Sequence, residues 1–319
     1  MKYLDFLSKK RYSRNVVIPM LKQLGYDKKA DRLRECGNYK TLAVCKDCGR
    51  THFEKANTCK DRFCPVCQKK RGLLWITKIY PVLELLINKG YIINFVTLTV
   101  PNSDNLKDRV NVLNDAFRYM QHEDKTLRRE FNNLYIGGVR SLEVKKGAFS
   151  GLWHPHLHML VCKRTKSDFR EDRQILGNAW TKAMSMVTGK EYGPKDLVFD
   201  IKSIYFEDMK TGKKYYSKKA IFKACLEVFK YLIKSDFEEL ACKELIETMS
   251  NVRSITPWGN IRQLLHDNKI EQTIEKELDM KESELSNKVC SLCGGEEFIE
   301  IKNVSSYGHK IYDLKEKKV

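Results

Sequence analysis

No stretch of this 319-residue chain stays apolar long enough to cross a bilayer. The longest apolar run, 91–100, has the length and β-branched content of a strand. Met1 leads into Lys2-Tyr3-Leu4-Asp5 with no apolar region behind it, so no signal peptide is expected and the cytoplasm is the expected location. A Walker-type glycine-rich phosphate loop is missing too, which argues against ATP use, and there is no internal repeat. Acidic residues do not match the basic ones. Lys+Arg number 59 and Asp+Glu 41, so 59 − 41 = 18 positive charges are left over. An excess of that size points to a polyanionic partner, most simply nucleic acid, and not to a membrane. Hydrophobic residues make up 42% of the chain, enough for a packed core and too many for general disorder.

What is plentiful is cysteine. Eleven cysteines in a cytosolic chain argue for metal binding and against disulfides. Cys45-Lys-Asp-Cys48 and Cys64-Pro-Val-Cys67 are two CxxC pairs separated by fifteen residues. Four thiolates at that spacing can close a tetrahedral zinc site with no open position, which makes it structural. Lys46, Arg62, Lys69, Lys70 and Arg71 surround the pairs, favouring deprotonated sulfur and a surface that faces DNA phosphate. A thioredoxin-like redox pair is the alternative, and the doubling of the motif speaks against it. Cys36, Cys59 and His52 stand by as spare ligands. Cys290-Ser-Leu-Cys293-Gly-Gly is half a zinc ribbon with no second CxxC after it.

The most informative stretch is Trp153-His-Pro-His-Leu-His-Met-Leu-Val161. Read as a strand, it sends His154, His156 and His158 to one face and Leu157, Met159 and Val161 to the other. Imidazole is the commonest protein metal ligand and a poor core filler, so a metal site is the better reading than a packed strand. A strand over 134–144 precedes it, and a loop through Gly147 and Gly151 makes the two an antiparallel hairpin. Across that hairpin Glu143 can face the histidines. A carboxylate beside two imidazoles suits Mn²⁺ or Mg²⁺ better than a closed zinc cage. The plain alternative for Glu143 is a surface charge at a strand end.

Helices are expected over 13–34, 73–89 (ended by Gly90), 103–123, 167–186, 220–237, 238–249 and 260–285, and a further strand over 197–205. In the 91–100 strand Phe95, Thr97 and Thr99 share a face. The 220–237 helix carries a broad apolar face opposite a narrow stripe of Glu227, Lys230, Tyr231 and Lys234. A tyrosine set between a carboxylate and lysines is odd for packing and sensible for chemistry, because nearby cations favour phenolate, a nucleophile for phosphorus. An amphipathic helix with an exposed tyrosine and ion pairs is the bland reading. Tyr215-Tyr216 falls in a Lys/Gly-rich stretch and reads as a loop or strand edge.

Taken together, Phe95-Val-Thr-Leu-Thr99, His154-Pro-His-Leu-His158 and Glu227-Val-Phe-Lys-Tyr231-Leu-Ile-Lys234 resemble the three motifs of rolling-circle plasmid replication initiators. These are single-tyrosine members of the HUH endonuclease superfamily. Cys64-Pro-Val-Cys67-Gln-Lys-Lys-Arg71 looks like the cysteine-rich segment of a Gram-positive branch. The resemblance covers roughly Cys36 to Asp236. It implies that His156 and His158, with Glu143 as third ligand, hold the catalytic divalent ion. Tyr231 would attack the scissile phosphate of a single-stranded or extruded plasmid origin, leaving a 5′-phosphotyrosyl link and a free 3′-OH. Glu227 would activate water for the terminating cleavage, so one tyrosine suffices. Lys234, and Lys230 beside it, would contact phosphate or lower the tyrosine pKa. A host helicase and polymerase are the implied protein partners.

The expected fold is α+β: a central antiparallel sheet with helices packed on it, an N-terminal zinc-binding region and a mostly helical C-terminal region. The expected divisions are 1–88 (helical and cysteine-rich), 89–240 (HUH endonuclease catalytic domain) and 241–319 (helical and charged, with a partial zinc ribbon). Within the nuclease class a transposase or mobilisation relaxase is the nearest alternative. A non-catalytic zinc-finger DNA-binding regulator would explain the charge and the cysteines but leave the histidines without a purpose. A non-haem iron oxidoreductase would explain the histidines and not the charge.

Overall fold

The computed structural model describes residues 3–38, 40–49, 51–147, 150–164, 169–193, 195–207, 214–216, 218–229, 239–269, 272 and 297–301. They fall into two compact units. The first gathers Met1–Arg71, Ile233–Ile246 and Glu275–Val319, and the second Gly72–Leu232 and Glu247–Ile274.

The chain opens with α1 (Tyr3–Tyr12), a π-helical turn (Ser13–Val17), α2 (Ile18–Gln23) and α3 (Asp27–Glu35). Val17, Leu21, Ala30 and Leu33 are fully buried, so these short helices owe their stability to packing against one another and little to length. A hairpin follows, β1 (Lys40–Cys45) and β2 (Thr51–Ala56), which the hydrophobic pattern does not announce. Next comes α4 (Pro65–Asn88), with its proline in the first helical position, where a missing N–H costs nothing. It therefore starts inside the second CxxC. Gly90, at φ +85°, closes the helix.

The second unit is built on β3 (Ile92–Thr99), β4 (Gly137–Lys146), β5 (Trp153–Lys163) and β6 (Phe199–Ser203). Between β3 and β4 lie α5 (Leu106–Arg118), a π-helical turn (Tyr119–Glu123) and α6 (Lys125–Leu134). The α5 N-terminus is capped by Asn105, which accepts from the Asp108 amide, and the α6 N-terminus by Asp124, which accepts from Thr126 and Leu127. α7 (Phe169–Thr188) precedes β6, and β7 (Tyr205–Glu207) pairs with β8 (Lys214–Tyr216), so the Tyr215-Tyr216 pair sits on a strand. α8 (Lys218–Val228) packs against β5. After α9 (Glu239–Met249), β9 (Ile255–Trp258) joins the edge of the sheet and leads into α10 (Gly259–Asp267). β10 (Phe298–Ile301) then pairs with β1, completing a three-stranded sheet β10-β1-β2 in the first unit.

The main sheet is antiparallel throughout, in the order β6-β3-β5-β4-β9. The histidine strand is therefore central, paired along its whole length. From Pro155 to Lys163 every side chain of β5 is buried, on both faces. α5 and α8 pack against β5, and Trp180 of α7 donates its indole N–H to the Thr99 carbonyl at 3.0 Å. The fold class is α+β, as the sequence suggests.

Candidate metal centre

Antiparallel register decides which side chains meet. Glu143 of β4 stands directly across from His156 of β5, which in turn faces Thr99 of β3. One row along, Ser141, His158 and Thr97 are similarly aligned. The Glu143 carboxylate oxygen Oε2 lies 3.0 Å from His156 Nε2 and 2.8 Å from His158 Nε2, and the two Nε2 atoms are 3.0 Å apart. All three residues are buried.

The hydrogen-bond partners on the far side of each ring explain why this trio wants a cation. His156 Nδ1 lies 3.2 Å from the His154 carbonyl oxygen, which can only accept, so Nδ1 carries the proton and the neutral ring presents a lone pair at Nε2. His158 Nδ1 is held by the Thr97 hydroxyl at 3.1 Å, which likewise turns Nε2 inward. Burial pulls the His158 pKa below its ordinary value, with Glu143 opposing, so this imidazole stays neutral. Burial alone would raise the Glu143 carboxyl. Its neighbours His156, His158 and Lys145 outweigh burial and hold the carboxyl well below the usual carboxylate range. Lys145 Nζ takes the other carboxylate oxygen at 2.9 Å. Two lone pairs and an anionic oxygen thus converge on one point, an arrangement that is repulsive empty and favourable around a divalent cation. Outer partners that orient the ligating rings are the usual second half of such sites. His154 is not in the trio; its Nδ1 turns to Asn102 Oδ1 at 2.5 Å.

Thr97, Lys145 and Asn102 are the members that sequence reasoning missed. Thr97 stands out only as one of three residues on the β3 face. Its partner became visible once register was known. Phe95, on the same face, packs on the His158 ring at 5.2 Å between centroids.

The cysteines correct the expected zinc set. Cys64 and Cys67 do come together, but with Cys36 and Cys59, and the four sulfurs lie within 4.8 Å of one another. The Cys36–Cys67, Cys59–Cys67 and Cys36–Cys64 sulfur separations are each 3.6 Å. A tetrahedral tetrathiolate with Zn–S near 2.3 Å has edges of about 3.8 Å, so the group fits zinc without rearrangement. Cys45 and Cys48 are not part of it. The reason is the unforeseen hairpin: Cys36 and Cys59 flank its base, where Lys40 pairs with Ala56, whereas Cys45 and Cys48 occupy its tip. At about 3.3 Å per residue, six-residue strands separate tip from base by roughly 17–20 Å. His52 lies within β2.

Lys10 from α1 seals the cluster, donating from its ammonium to the carbonyls of Cys36 and, at 2.8 Å, Arg34. Burial lowers its pKa, and the neighbouring Cys36, Cys64 and Cys59 sulfurs oppose that shift. Of the expected DNA contacts, Arg62 lies over the Phe63 ring at 5.6 Å and Arg71 donates to the Lys60 carbonyl at 3.1 Å. Lys69 and Lys70 are half-buried on α4. Glu227 is half-buried in the last turn of α8. Lys230, Tyr231 and Lys234 lie outside the described residues, as do Cys290 and Cys293.

A family model described as "Replication protein" matches residues 50–303. A second, described as "Transposase zinc-binding domain", matches residues 12–86, the span that holds all four clustered cysteines. Among curated proteins, "Protein rep" of Bacillus amyloliquefaciens is 27% identical over 272 residues, covering 81% of this chain and 76% of its own length. "Protein rep" of a Bacillus species is 26% identical over 282 residues, covering 81% and 83%. "Protein rep" of Staphylococcus aureus is 28% identical over 165 residues, covering 50% and 69%. No solved structure matches.

Proposed function

Since the chain belongs to the Replication protein family, we propose that it starts rolling-circle replication of a plasmid by nicking one strand of the origin through Tyr231. The observation that carries this reading is the convergence of Glu143, His156 and His158 at 2.8–3.0 Å on adjacent strands, beside the helix that leads to the tyrosine. Those three residues would hold Mn²⁺ or Mg²⁺, which when bound supplies Lewis-acid polarisation of the scissile phosphate. The tyrosine oxygen forms a bond to phosphorus as the P–O3′ bond breaks. The phenolic proton goes to solvent and the departing 3′ oxygen takes one up, giving a 5′-phosphotyrosyl link and a 3′-OH. Lys234 and Lys230 favour the phenolate and contact phosphate. In the terminating cleavage Glu227 accepts the proton of a water whose oxygen attacks phosphorus as the P–O3′ bond breaks and the departing 3′ oxygen takes up a proton, so no second tyrosine is needed. DNA held by the +18 charge, and a host helicase and polymerase, are the partners, in the cytoplasm.

The test uses purified protein, Mn²⁺ and single-stranded DNA tiled across the parent replicon. His156→Ala is expected to cut at least about a hundredfold more slowly while binding DNA as wild type does, since even outer-shell partners of a metal site are worth ten- to a hundredfold. Equal cutting by wild type and variant would remove the metal centre from the mechanism. The zinc-domain match supports a second reading, a transposase using the same chemistry. A preference for terminal repeats of a mobile element over a plasmid origin would favour it.

A further inference from the structure

On the opposite face of β4 from the metal centre lies a cavity of about 550 Å³ in the second unit, between α5, the 119–123 turn, α6, β9 and α10. Its floor includes Arg140, which alternation places on the face away from Glu143, paired with Met159. The Arg140 guanidinium packs over the Phe117 ring at 4.6 Å and donates to Asn114 Oδ1 at 3.1 Å. Neither partner is anionic. Among the described residues no carboxylate bonds it, and burial lowers its pKa to about 10. A half-buried cation without a counter-charge is costly, and the cost is relieved by an anion.

The rest of the lining points the same way. Arg118, Arg128 and Arg262 stand at the exposed rim. Of these, Arg118 is engaged by Asp115 and Glu123. Two further donors on the wall, the Tyr135 hydroxyl and the Trp258 indole N–H, are buried with no hydrogen-bond partner among the described residues. Buried donors without acceptors are rare in folded proteins and call for an explanation. Here Arg128, Arg140 and Arg262 share a cavity whose one lining carboxylate among the described residues, Asp115, is engaged by Arg118.

We propose that this cavity binds the phosphate group of a nucleotide. The volume takes one nucleotide, the arginines match phosphate bidentately, and the Trp258 and Phe117 rings give a base an apolar wall. The proposal rests on the replication reading only for its source of phosphate, a DNA strand passing the edge strand β9. A free mononucleotide offers the same chemistry.

The test reads Trp258 fluorescence without added Mn²⁺ or Mg²⁺, in the His156→Ala background, so that nicking cannot contribute. Inorganic phosphate and thymidine 5′-monophosphate, titrated against chloride at equal ionic strength, should change the signal saturably, and Trp258→Phe should remove it. Arg140→Gln and the exposed Arg262→Gln should each weaken binding about tenfold, with unchanged melting temperature for Arg262→Gln. Each should lower the slope of log affinity for a twelve-nucleotide single strand against log salt by about one. Displacement of the mononucleotide by the single strand assigns the phosphate to DNA; saturable mononucleotide binding without displacement assigns it to a free nucleotide. No signal with either small probe, and unchanged DNA affinity in both arginine variants, would overturn the proposal. Because no cleavage is read, loss of the nicking mechanism would leave this result standing.

Discussion

Tyr231→Phe is expected to bind origin DNA with wild-type affinity and to form no protein-linked DNA at all. On the proposed mechanism, phenylalanine keeps the ring but removes the oxygen that bonds to phosphorus. An unperturbed tyrosine titrates near 10, so a phenolate nucleophile depends on nearby cations. Removing a nucleophile outright costs on the order of 10³–10⁶ in rate. The measurement is a denaturing gel after incubation with Mn²⁺ and single-stranded origin DNA. Glu227→Gln, in the last turn of α8, should instead keep the linked band and let it accumulate, because on the proposed mechanism only the hydrolytic cleavage loses its base. A linked band of wild-type strength from Tyr231→Phe would move the nucleophile elsewhere, with Tyr215 and Tyr216 on β8 the first places to look.

The second large effect is structural. Cys59→Ser should lose one zinc ion and unfold the first unit, while leaving the second unit's sheet intact. Zinc held by four thiolates contributes an apparent ~10–16 kcal/mol in small domains, as much as a typical domain's whole stability of about 5–15 kcal/mol. The core around the cluster is small, and Cys36, Cys64 and Cys67 are among its most buried members. Once the ion is gone, hydrogen bonding to the other sulfurs, then desolvation, pushes the Cys64 thiol far above its ordinary value. With no ion to join the sulfurs, the cluster has no reason to stay closed. Zinc content and limited proteolysis report the outcome. Cys36→Ser should behave identically, and Cys48→Ser should leave this ion in place. If Cys59→Ser kept full zinc and Cys48→Ser lost this ion, the pairing of the sulfurs would be as the CxxC spacing first suggests.

The contrast between the two centres shows what a sequence makes legible. The metal trio could be read because β5 alternates cleanly and β4 lies one short loop away, so period two alone puts Glu143 across from the histidines. The cysteine set could not, because spacing says which sulfurs can pair and not which ones meet. That depends on a hairpin whose strands, Lys40–Cys45 and Thr51–Ala56, carry charges and threonines in place of an apolar alternation. Thr97 and Lys145 act through geometry that only register supplies. α6 was overlooked although Asp124 and the Leu127, Phe131, Leu134 spacing mark it. β9 and β10, four residues each, are too short for periodicity, and Pro257 in β9 is tolerable because β9 is an edge strand.

The pairing of β1 with β10 also sets a clock on synthesis. Cys45 and Phe298 are neighbours in the sheet and 298 − 45 = 253 residues apart in the chain. At about 5–20 residues per second the first strand leaves the ribosome roughly 13–50 s before its partner exists. For that interval β1 has an open edge, the kind of surface that invites wrong partners. The main sheet, whose last strand is β9, is complete some forty residues earlier. A chain cut short after β9 would thus carry a finished main sheet and an N-terminal sheet that can never close, leaving truncated copies distinguishable from whole ones by the edge they expose.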